Sequence, residues 1–398
     1  MNERRLRERL RGCEPPDPDA RDRAWRVVRA AYDEYVPRRA RRPTQAVAVG
    51  AAVLAVLIVA MSTSAPGDAV ARWVQRVLGA GQPDARPALV AVPGGGRLLV
   101  IADPGAWVVA RDGSKRLLGR YDGASWSPHG LFVLAWRGGE LTAVEPSGRV
   151  RWSLARREPI RAAAWSSVDG FRVAYLAGPQ LRVVNGDGTG DRPYRDALAK
   201  VAPAWRPDNT HVLAYLDGAS RVRVEAVDAR QTLWRGPRLD RPHKLAWSPD
   251  GRRLLALTST KVVVFSRGGE MLHEHTLATG TLAEDAAWAP GGNAIALARR
   301  HPKRQRADIV LVTPGARGRQ RLLFTGPGRF GPLAWSPNGE WLLVSWPQAD
   351  QWLFLRPDTD AAVSAVANIA RQFDPGTSGA PAFPVVAGWC CSPDQPGP

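Results

Sequence analysis

The sequence predicts an all-β fold in which about seven copies of one four-stranded unit form a β-propeller; six or eight copies also fit the pattern. Three observations lead to this prediction. A tryptophan-led motif recurs at a spacing close to 40 residues. Each copy is followed by aliphatic runs of strand length. The 39 glycines and 34 prolines follow no fixed period, as expected for many tight turns between short strands.

The motif is most regular at residues 247–251 and 335–339, where it reads Trp-Ser-Pro-Asp-Gly and Trp-Ser-Pro-Asn-Gly. Successive marker tryptophans are 39, 40, 42, 41 and 47 residues apart. A period near 40, with about four strands per unit, is the signature of a propeller blade. The six markers are Trp126, Trp165, Trp205, Trp247, Trp288 and Trp335.

The repeat is irregular at both of its ends. The first unit begins at Leu89 and has the turn and the strand but no marker tryptophan. Residues 384–391 hold a further, incomplete marker around Trp389, which we interpret as a closing strand that packs near the first blade. The propeller is predicted to occupy residues 88–398, with units that begin near residues 89, 124, 163, 203, 245, 286 and 333.

The middle strands of each unit are continuous apolar runs, as at residues 253–257 and 261–265. Such runs are expected where both faces of a sheet are covered, and in a propeller each blade is covered by its two neighbours. In the turns, Pro fixes φ near −65°, Asp or Asn bonds to its own backbone, and Gly adopts positive φ.

The Trp-Ser-Pro-Asp/Asn-Gly signature and the strand after it resemble the WD-repeat-like propeller repeats of the TolB type. The resemblance extends over the whole predicted propeller and implies a bacterial cell-envelope protein that binds other proteins. The chain lacks the Trp-Asp ending and the Gly-His start of true WD repeats, so the partner rules of those repeats are not carried over.

A single transmembrane helix is predicted over residues 44–65, which carry no charge. About 20 apolar residues span a bilayer core. The arginines at positions 38, 39, 41 and 42 precede this segment, so the positive-inside rule places the N-terminus in the cytoplasm and the propeller outside the cell membrane. A cleaved signal peptide and a buried alanine-rich helix are the alternatives.

Short helices flank the predicted span. Residues 1–43 form a basic cytoplasmic tail in which residues 4–11 and 19–36 have helical patterns. The tail is too small to bury a core alone, so it either lies on anionic lipid or binds a cytoplasmic partner. Residues 66–87 are predicted to form a juxtamembrane helix followed by a linker.

The formal charge of +18 raises the question of nucleic-acid binding. Acidic residues are interspersed along the chain and no nucleic-acid-binding motif is present, so an arginine-rich solvated surface is favoured and no nucleic acid is expected. One basic hairpin is a candidate contact with anionic lipid or cell-wall polymer, or else a solvated loop. It comprises Arg299, Arg300, Lys303, Arg304 and Arg306.

Catalytic and metal-binding patterns are sparse. The sequence holds no Gly-x-Ser-x-Gly motif and no assignable triad. His273 and His275 alternate on one strand and would point the same way, but they lack carboxylate partners at fixed spacing, which favours an ordinary edge strand. Asp187 lies in a calcium-loop-like fragment that lacks the remaining ligands, which favours a simple turn. We therefore expect no enzyme, no cofactor and no metal.

Cys390 and Cys391 are adjacent near the end of the chain. In an oxidising compartment they could form a vicinal or an intermolecular disulfide, and packed thiols fit equally well.

These features predict a membrane-anchored, extracytoplasmic propeller that binds an envelope protein or a ligand on one face. Two alternatives belong to other classes. The layout of tail, span and outer domain is similar to that of membrane-bound anti-sigma factors, whose tail would bind a sigma factor. An enzyme that uses the central channel would require carboxylates or histidines clustered at one channel mouth.

Overall fold

The structure is a computed structural model that describes residues 89–167, 171–196, 198, 200–208, 210–315, 319–358, 363–374 and 381–391. The chain divides into two units, Met1–Ser64 and Ala65–Pro398, and the described residues belong to the second. The predicted tail, span, and juxtamembrane helix and linker (residues 1–87) lie outside the described residues. Within the described part of the chain, no helix combines the length and the apolarity that a membrane span requires.

Seven four-stranded antiparallel sheets make up the fold of the described residues. We number them as blades 1–7 along the chain and give the strands of each blade from the innermost to the outermost. Blade 1 contains β28 (Val385–Cys390), β1 (Arg97–Ala102), β2 (Gly105–Val109) and β3 (Lys115–Gly119). Blade 2 contains β4 (Gly123–Trp126), β5 (Val133–Arg137), β6 (Glu140–Val144) and β7 (Val150–Ala155). Blade 3 contains β8 (Ile160–Trp165), β9 (Arg172–Ala177), β10 (Gln180–Asn185) and β11 (Arg192–Arg195).

The remaining four blades repeat this order. Blade 4 contains β12 (Ala204–Trp205), β13 (Val212–Leu216), β14 (Arg221–Ala226) and β15 (Gln231–Arg238). Blade 5 contains β16 (Pro242–Trp247), β17 (Arg253–Thr258), β18 (Lys261–Ser266) and β19 (Met271–Thr276). Blade 6 contains β20 (Leu282–Trp288), β21 (Ile295–His301), β22 (Arg306–Thr313) and β23 (Arg319–Pro327). Blade 7 contains β24 (Leu333–Trp335), β25 (Leu342–Trp346), β26 (Gln351–Leu355) and β27 (Val363–Ala367). Short helical segments occupy Pro302–Arg304, Pro347–Ala349 and Ile369–Phe373.

The innermost strands contact one another in the cyclic order β4, β8, β12, β16, β20, β24, β28 and again β4. The sheets therefore form a closed ring of seven blades around a central axis. Blade 1 takes its innermost strand from the end of the chain, because β28 pairs with β1 over Arg97↔Cys390 to Ile101↔Val385. The seven-bladed prediction and the closing strand around Trp389 are both confirmed.

The hydrophobic core consists of seven separate clusters, and each cluster lies between two neighbouring blades. The cluster between blades 5 and 6 joins Leu255 and Val264 to Ile295 and Val310. The cluster between blades 1 and 2 has the fewest buried members. The continuous apolar runs of the middle strands are thus explained, because both faces of each sheet are buried.

Each marker tryptophan ends an innermost strand and packs into the joint between its own blade and the preceding one. Four of the indoles also donate a hydrogen bond across that joint, to the carbonyl of the residue before the preceding marker. Trp205 donates to Ala164 at 3.0 Å and Trp247 to Ala204 at 3.1 Å. Trp288 and Trp335 repeat the pattern with Ala246 and Ala287, at 3.1 and 3.2 Å.

This hydrogen bond links blades 3 to 7 in sequence and is missing at the other three joints. The indole nitrogens of Trp126 and Trp165 are buried without a partner, and Trp389 donates to Gly95 of its own blade. An arginine contact remains at one of these joints, and it is also present where the indole bond is made, since Arg253 lies over the Trp288 ring at 5.1 Å and donates to the carbonyl of Gly292 at 2.5 Å. At the joint of blades 1 and 2, Arg97 lies over the Trp126 ring at 5.2 Å and donates to the carbonyl of Gly130 at 2.6 Å.

The turn after the marker is held by its own side chains. In blade 5 the Ser248 hydroxyl donates to Asp250 at 2.5 Å and accepts the amide of Arg253 at 3.0 Å. Gly251 adopts a φ of +64°, a conformation that glycine tolerates best. The turn residues of the motif therefore serve the fold.

The two ends of the ring differ in construction. The tryptophan turns lie at one end, which we call the turn face. The connections from second to third strands and from blade to blade lie at the other end, which we call the loop face. These connections vary in length, from the short one at residues 120–122 to the long one at residues 368–384. The loop face is therefore the end on which blades differ most.

We expect Trp205→Phe to destabilise the protein by about 1 kcal/mol more than Trp165→Phe, because only Trp205 loses a hydrogen bond between blades. Both side chains are 8% exposed, so the loss of buried area is matched. Urea unfolding of the two variants measures the difference. Equal losses would contradict a stabilising role for the indole bond.

Candidate functional site

Three innermost strands carry a β-bulge close to the loop face. The register shifts between Ile160 and Ala162, between Pro242 and Lys244, and between Ala283 and Asp285. The extra residues are Arg161, His243 and Glu284, each four positions before its marker tryptophan. Bulges re-aim side chains and are over-represented next to functional sites. They single out this mouth of the central channel as the candidate site.

Blades 5, 6 and 7 are joined at this mouth through the Asp285 carboxylate. Lys244 of blade 5 contacts one carboxylate oxygen at 2.7 Å, and the amide of Leu333 in blade 7 donates to the other at 2.8 Å. The Asp285 side chain is 14% exposed, so it is shielded but still reaches solvent. This carboxylate therefore has a structural partner on each side.

Glu284, next to Asp285, has two arginine partners. Arg300 of the same blade pairs with one carboxylate oxygen, and Arg329 lies 3.8 Å from the other. The Arg329 side chain is exposed and lies in the connection between blades 6 and 7. The cluster is thus an alternation of positive and negative groups rather than a patch of one sign.

His243 adds a titratable group to the same cluster. His243 is an exposed residue, but partial desolvation of its ring in the cluster lowers its pKa, although the backbone at Arg241 and the carboxylates of Asp285 and Glu284 act in the opposite direction. The imidazole is therefore mainly neutral at pH 7 and offers one donor and one acceptor. With the ion pairs beside it, the mouth can hydrogen-bond a polar ligand or a peptide.

The basic hairpin predicted from the sequence is divided by the structure. Arg299 and Arg306 both contact Asp308, at 3.3 and 3.1 Å. Arg300 faces the channel mouth through its pair with Glu284. Lys303 and Arg304 lie in the exposed turn Pro302–Arg304. The five residues do not form one surface, and the binding role predicted for them stays a prediction.

The other sequence candidates have local roles. The rings of His273 and His275 stack at 6.4 Å on β19, on one side of the strand as predicted, and Gln320 lies 2.9 Å from His275. Asp187 accepts the amide and the hydroxyl of Thr189, at 2.9 and 2.7 Å, within a turn. Among the described residues, no three His, Cys, Asp or Glu side chains are grouped so that they could hold a metal ion.

Three buried carboxylates inside the blades were not recognised in the sequence. Glu225 accepts the hydroxyls of Tyr194 and Tyr215, both at 2.8 Å, and Arg195 at 2.7 Å. Asp191 accepts Tyr175 at 2.5 Å and also pairs with Arg156 and Arg182. Asp308 accepts Thr325 at 2.7 Å and His301 at 2.8 Å. Their partners are distant in sequence, so no local pattern identifies them.

These networks shift the titration of their members. Burial would raise the pKa of Glu225, but the hydrogen bonds from Tyr215, Tyr194 and Arg195 outweigh burial and lower it. Burial, with the hydrogen bond to Asp191, raises the pKa of Tyr175 to about 12. Glu225 joins blades 3 and 4, and Asp308 takes its partners within blade 6.

No family model matches the chain, and no curated protein matches it. Solved structures do share its fold. The C-terminal WD40 domain of Sif2 has a TM-score of 0.51 and 14% identity, and the match covers 68% of this chain and 82% of that domain. A hydrazine synthase chain of Kuenenia stuttgartiensis has a TM-score of 0.50 and 18% identity, with 59% and 76% covered.

A putative 6-phosphogluconolactonase from Bacteroides uniformis matches at a TM-score of 0.48 and 16% identity, over 69% of this chain and all of that one. At such identities, likeness shows the fold alone. The chain is a seven-bladed β-propeller that resembles WD40 propellers.

We expect Glu225→Gln to lower the unfolding free energy at pH 7 by about 1–3 kcal/mol, because buried donors lose their charged acceptor. The lowered pKa of Glu225 means that its contribution is present above the unfolded pKa and is lost as the pH falls through the folded value. The variant should therefore lose less stability than the parent between pH 7 and pH 3, measured by urea unfolding. Glu274→Gln, which removes an exposed pair with Lys261, is the control and should change little. An unchanged acid dependence would argue against this role for Glu225.

Proposed function

We propose that the propeller is an extracytoplasmic binding module, anchored in the cell membrane by residues 44–65, whose loop-face mouth binds a protein segment or a polar ligand. The observation that carries the proposal is the set of bulges that turn Arg161, His243 and Glu284 out of otherwise regular strands. A bulge interrupts the ladder of its strand. The three residues lie four positions before their marker tryptophans, so three blades present an extra side chain at the same level of the ring.

The positions of the side chains that hold the turns also favour the loop face as the binding surface. In blades 5 and 7 the serine and the acidic or amide residue of the turn bond to each other, as at Ser336 and Asn338, whose side chains bond at 2.6 Å. The loop face has connections of varied length and a mouth of mixed charge. Binding surfaces concentrate on loops that a rigid scaffold positions.

The mixed charge favours a partner that presents both signs, such as an extended peptide, over a polyanion. Glu284 and Asp285 would repel phosphate groups, although Arg161 and Arg329 lie at the same mouth. Carboxylates and an imidazole gathered at one mouth are also what an enzyme using the channel would need. The carboxylates already have Lys244 and Arg300 as partners, which supports binding more than proton transfer.

A photo-reactive amino acid placed at Arg161 or Arg329 in the full chain should crosslink to one discrete partner in intact cells. The same amino acid at Arg252, an exposed residue of the turn face, is the matched control and should not give that product. Mass spectrometry identifies the crosslinked species. Equal products from both faces would contradict the assignment of the binding site to the loop face.

The anchor proposal predicts a defined topology. Alkaline phosphatase fused after residue 398 should be active, and the same enzyme fused after residue 43 should be inactive, because phosphatase folds only outside the cytoplasm. The fusion after residue 43 also serves as bait for a sigma factor, the alternative role of the tail. An active fusion at residue 43 or an inactive one at residue 398 would refute the proposed orientation.

A further inference from the structure

The adjacent cysteines lie at the end of the strand that closes the ring. Cys390 is the last residue of β28 and pairs with Arg97, and the structure joins its sulfur to that of Cys391 in a disulfide. Both sulfurs face the tryptophan turn of blade 2. The Sγ atom of Cys391 lies 3.1 Å from the carbonyl oxygen of Pro128, and that of Cys390 lies 3.8 Å from the carbonyl of Ser127.

A disulfide between neighbouring residues does little to stabilise a fold by cross-linking. The entropic gain from a disulfide grows with the length of the loop that it closes, and this loop is the shortest possible. Its main effect must therefore be local. It changes the two groups that face Ser127 and Pro128, since a thiol has a weak S–H donor and a disulfide has none.

The bond is compatible with the place where β28 ends. Successive side chains in a strand point to opposite faces, so two neighbouring cysteines can be bonded only where the regular strand stops. The strand stops at Cys390 in this structure. In the dithiol form this restriction is removed, and both sulfurs can donate to the blade 2 turn.

Blade 1, to which β28 belongs, is held without the regular indole bonds between blades, so a local change at Cys390 and Cys391 should affect how the strand is held. The joints of blade 1 on either side lack the indole bond between blades, because Trp389 donates to Gly95 and the Trp126 nitrogen has no partner. The joint with blade 2 also has the smallest apolar cluster. A Cβ atom added at Gly130 would lie 3.1 Å from the Cys390 sulfur, so the strand and the turn are in close contact.

We propose that Cys390 and Cys391 form a thiol–disulfide exchange site that controls how tightly the closing strand is held against blade 2. Reduction begins when a thiolate of a small dithiol bonds to the Cys391 sulfur, which is more exposed than the Cys390 sulfur. The S–S bond breaks, and its electron pair and a proton go to Cys390. The second thiol of the reagent then displaces Cys391, and the reagent leaves as a cyclic disulfide.

Oxidation reverses this change, with glutathione disulfide as the oxidant, which is reduced to two molecules of glutathione. The dithiol form holds the closing strand more tightly, because the two thiols donate to the Ser127 and Pro128 carbonyls. The disulfide form holds it less tightly, because the S–H donors are lost, although the Ser127 carbonyl still accepts the amide of Gly130 at 2.9 Å.

Hydrogen–deuterium exchange of the full chain tests this proposal, with Cys13→Ser introduced so that only two thiols remain. Samples are equilibrated with dithiothreitol or with glutathione disulfide, and mass spectrometry shows the loss of two hydrogens on oxidation. Oxidation should speed exchange about threefold or more in β28, in β1 and in the turn at residues 126–130. The strands β17 and β18 of blade 5 should not change.

A variant without either thiol serves as the control. The double variant Cys390→Ser, Cys391→Ser can form neither the bond nor a mixed disulfide with glutathione, so its exchange should be insensitive to both reagents. The proposal fails if the pair is not oxidised by glutathione disulfide, if the two redox forms exchange equally, or if exchange increases in all blades alike. It also fails if the double variant still responds to the reagents.

Discussion

The constraint on which this structure depends is that a flat four-stranded blade must bury both of its faces against neighbours that are themselves blades. The marker tryptophan meets this constraint twice. Its ring fills the joint with the preceding blade, and in four joints its N–H bonds to a backbone carbonyl of that blade, as Trp288 does with Ala246. Most buried indole N–H groups in proteins have such a partner, and at these four joints the preceding innermost strand supplies a carbonyl at the same place in the repeat. The sequence repeats with a period of about 40 residues because this joint occurs once in each blade.

Closing a ring requires one joint that differs from the rest, because the chain must begin and end somewhere. Blade 1 combines strands from both ends of the propeller, and the regular indole bond is absent on both of its sides. Other contacts remain there. The guanidinium of Arg97 covers Trp126, as Arg253 covers Trp288 at a regular joint, and Phe373 packs edge-on against Trp107 between blades 7 and 1. The closure therefore depends on side-chain packing without the indole bond, which is also missing between blades 2 and 3.

The fold could be predicted from the sequence because its defining contacts repeat. Six tryptophans at similar spacing revealed the blades, and the irregular copy at Trp389 indicated the closing strand. The candidate site could not be predicted in the same way. A bulge depends on the pairing register of two strands, and the pair of Lys244 with Asp285 joins separate blades. An alignment of the repeats on their tryptophans does show one trace of it, since Arg161, His243 and Glu284 all lie four positions before a marker.

Many of the arginines that give the chain its high positive charge have partners inside the blades or at the joints between them. Arginine is abundant partly because buried carboxylates in the blades take several donors each: Asp308 contacts Arg299, Arg306 and His301, and Asp191 contacts Arg156 and Arg182. Arg97 and Arg253 are used at joints, where they lie over the tryptophans of the next blade. The guanidinium suits these positions because it is planar and donates in several directions.

Much of the basic character is therefore part of the scaffold, and the net charge alone is poor evidence for a polyanionic partner. A partner is better inferred from the channel mouth, where both signs occur together and the strands depart from regular pairing.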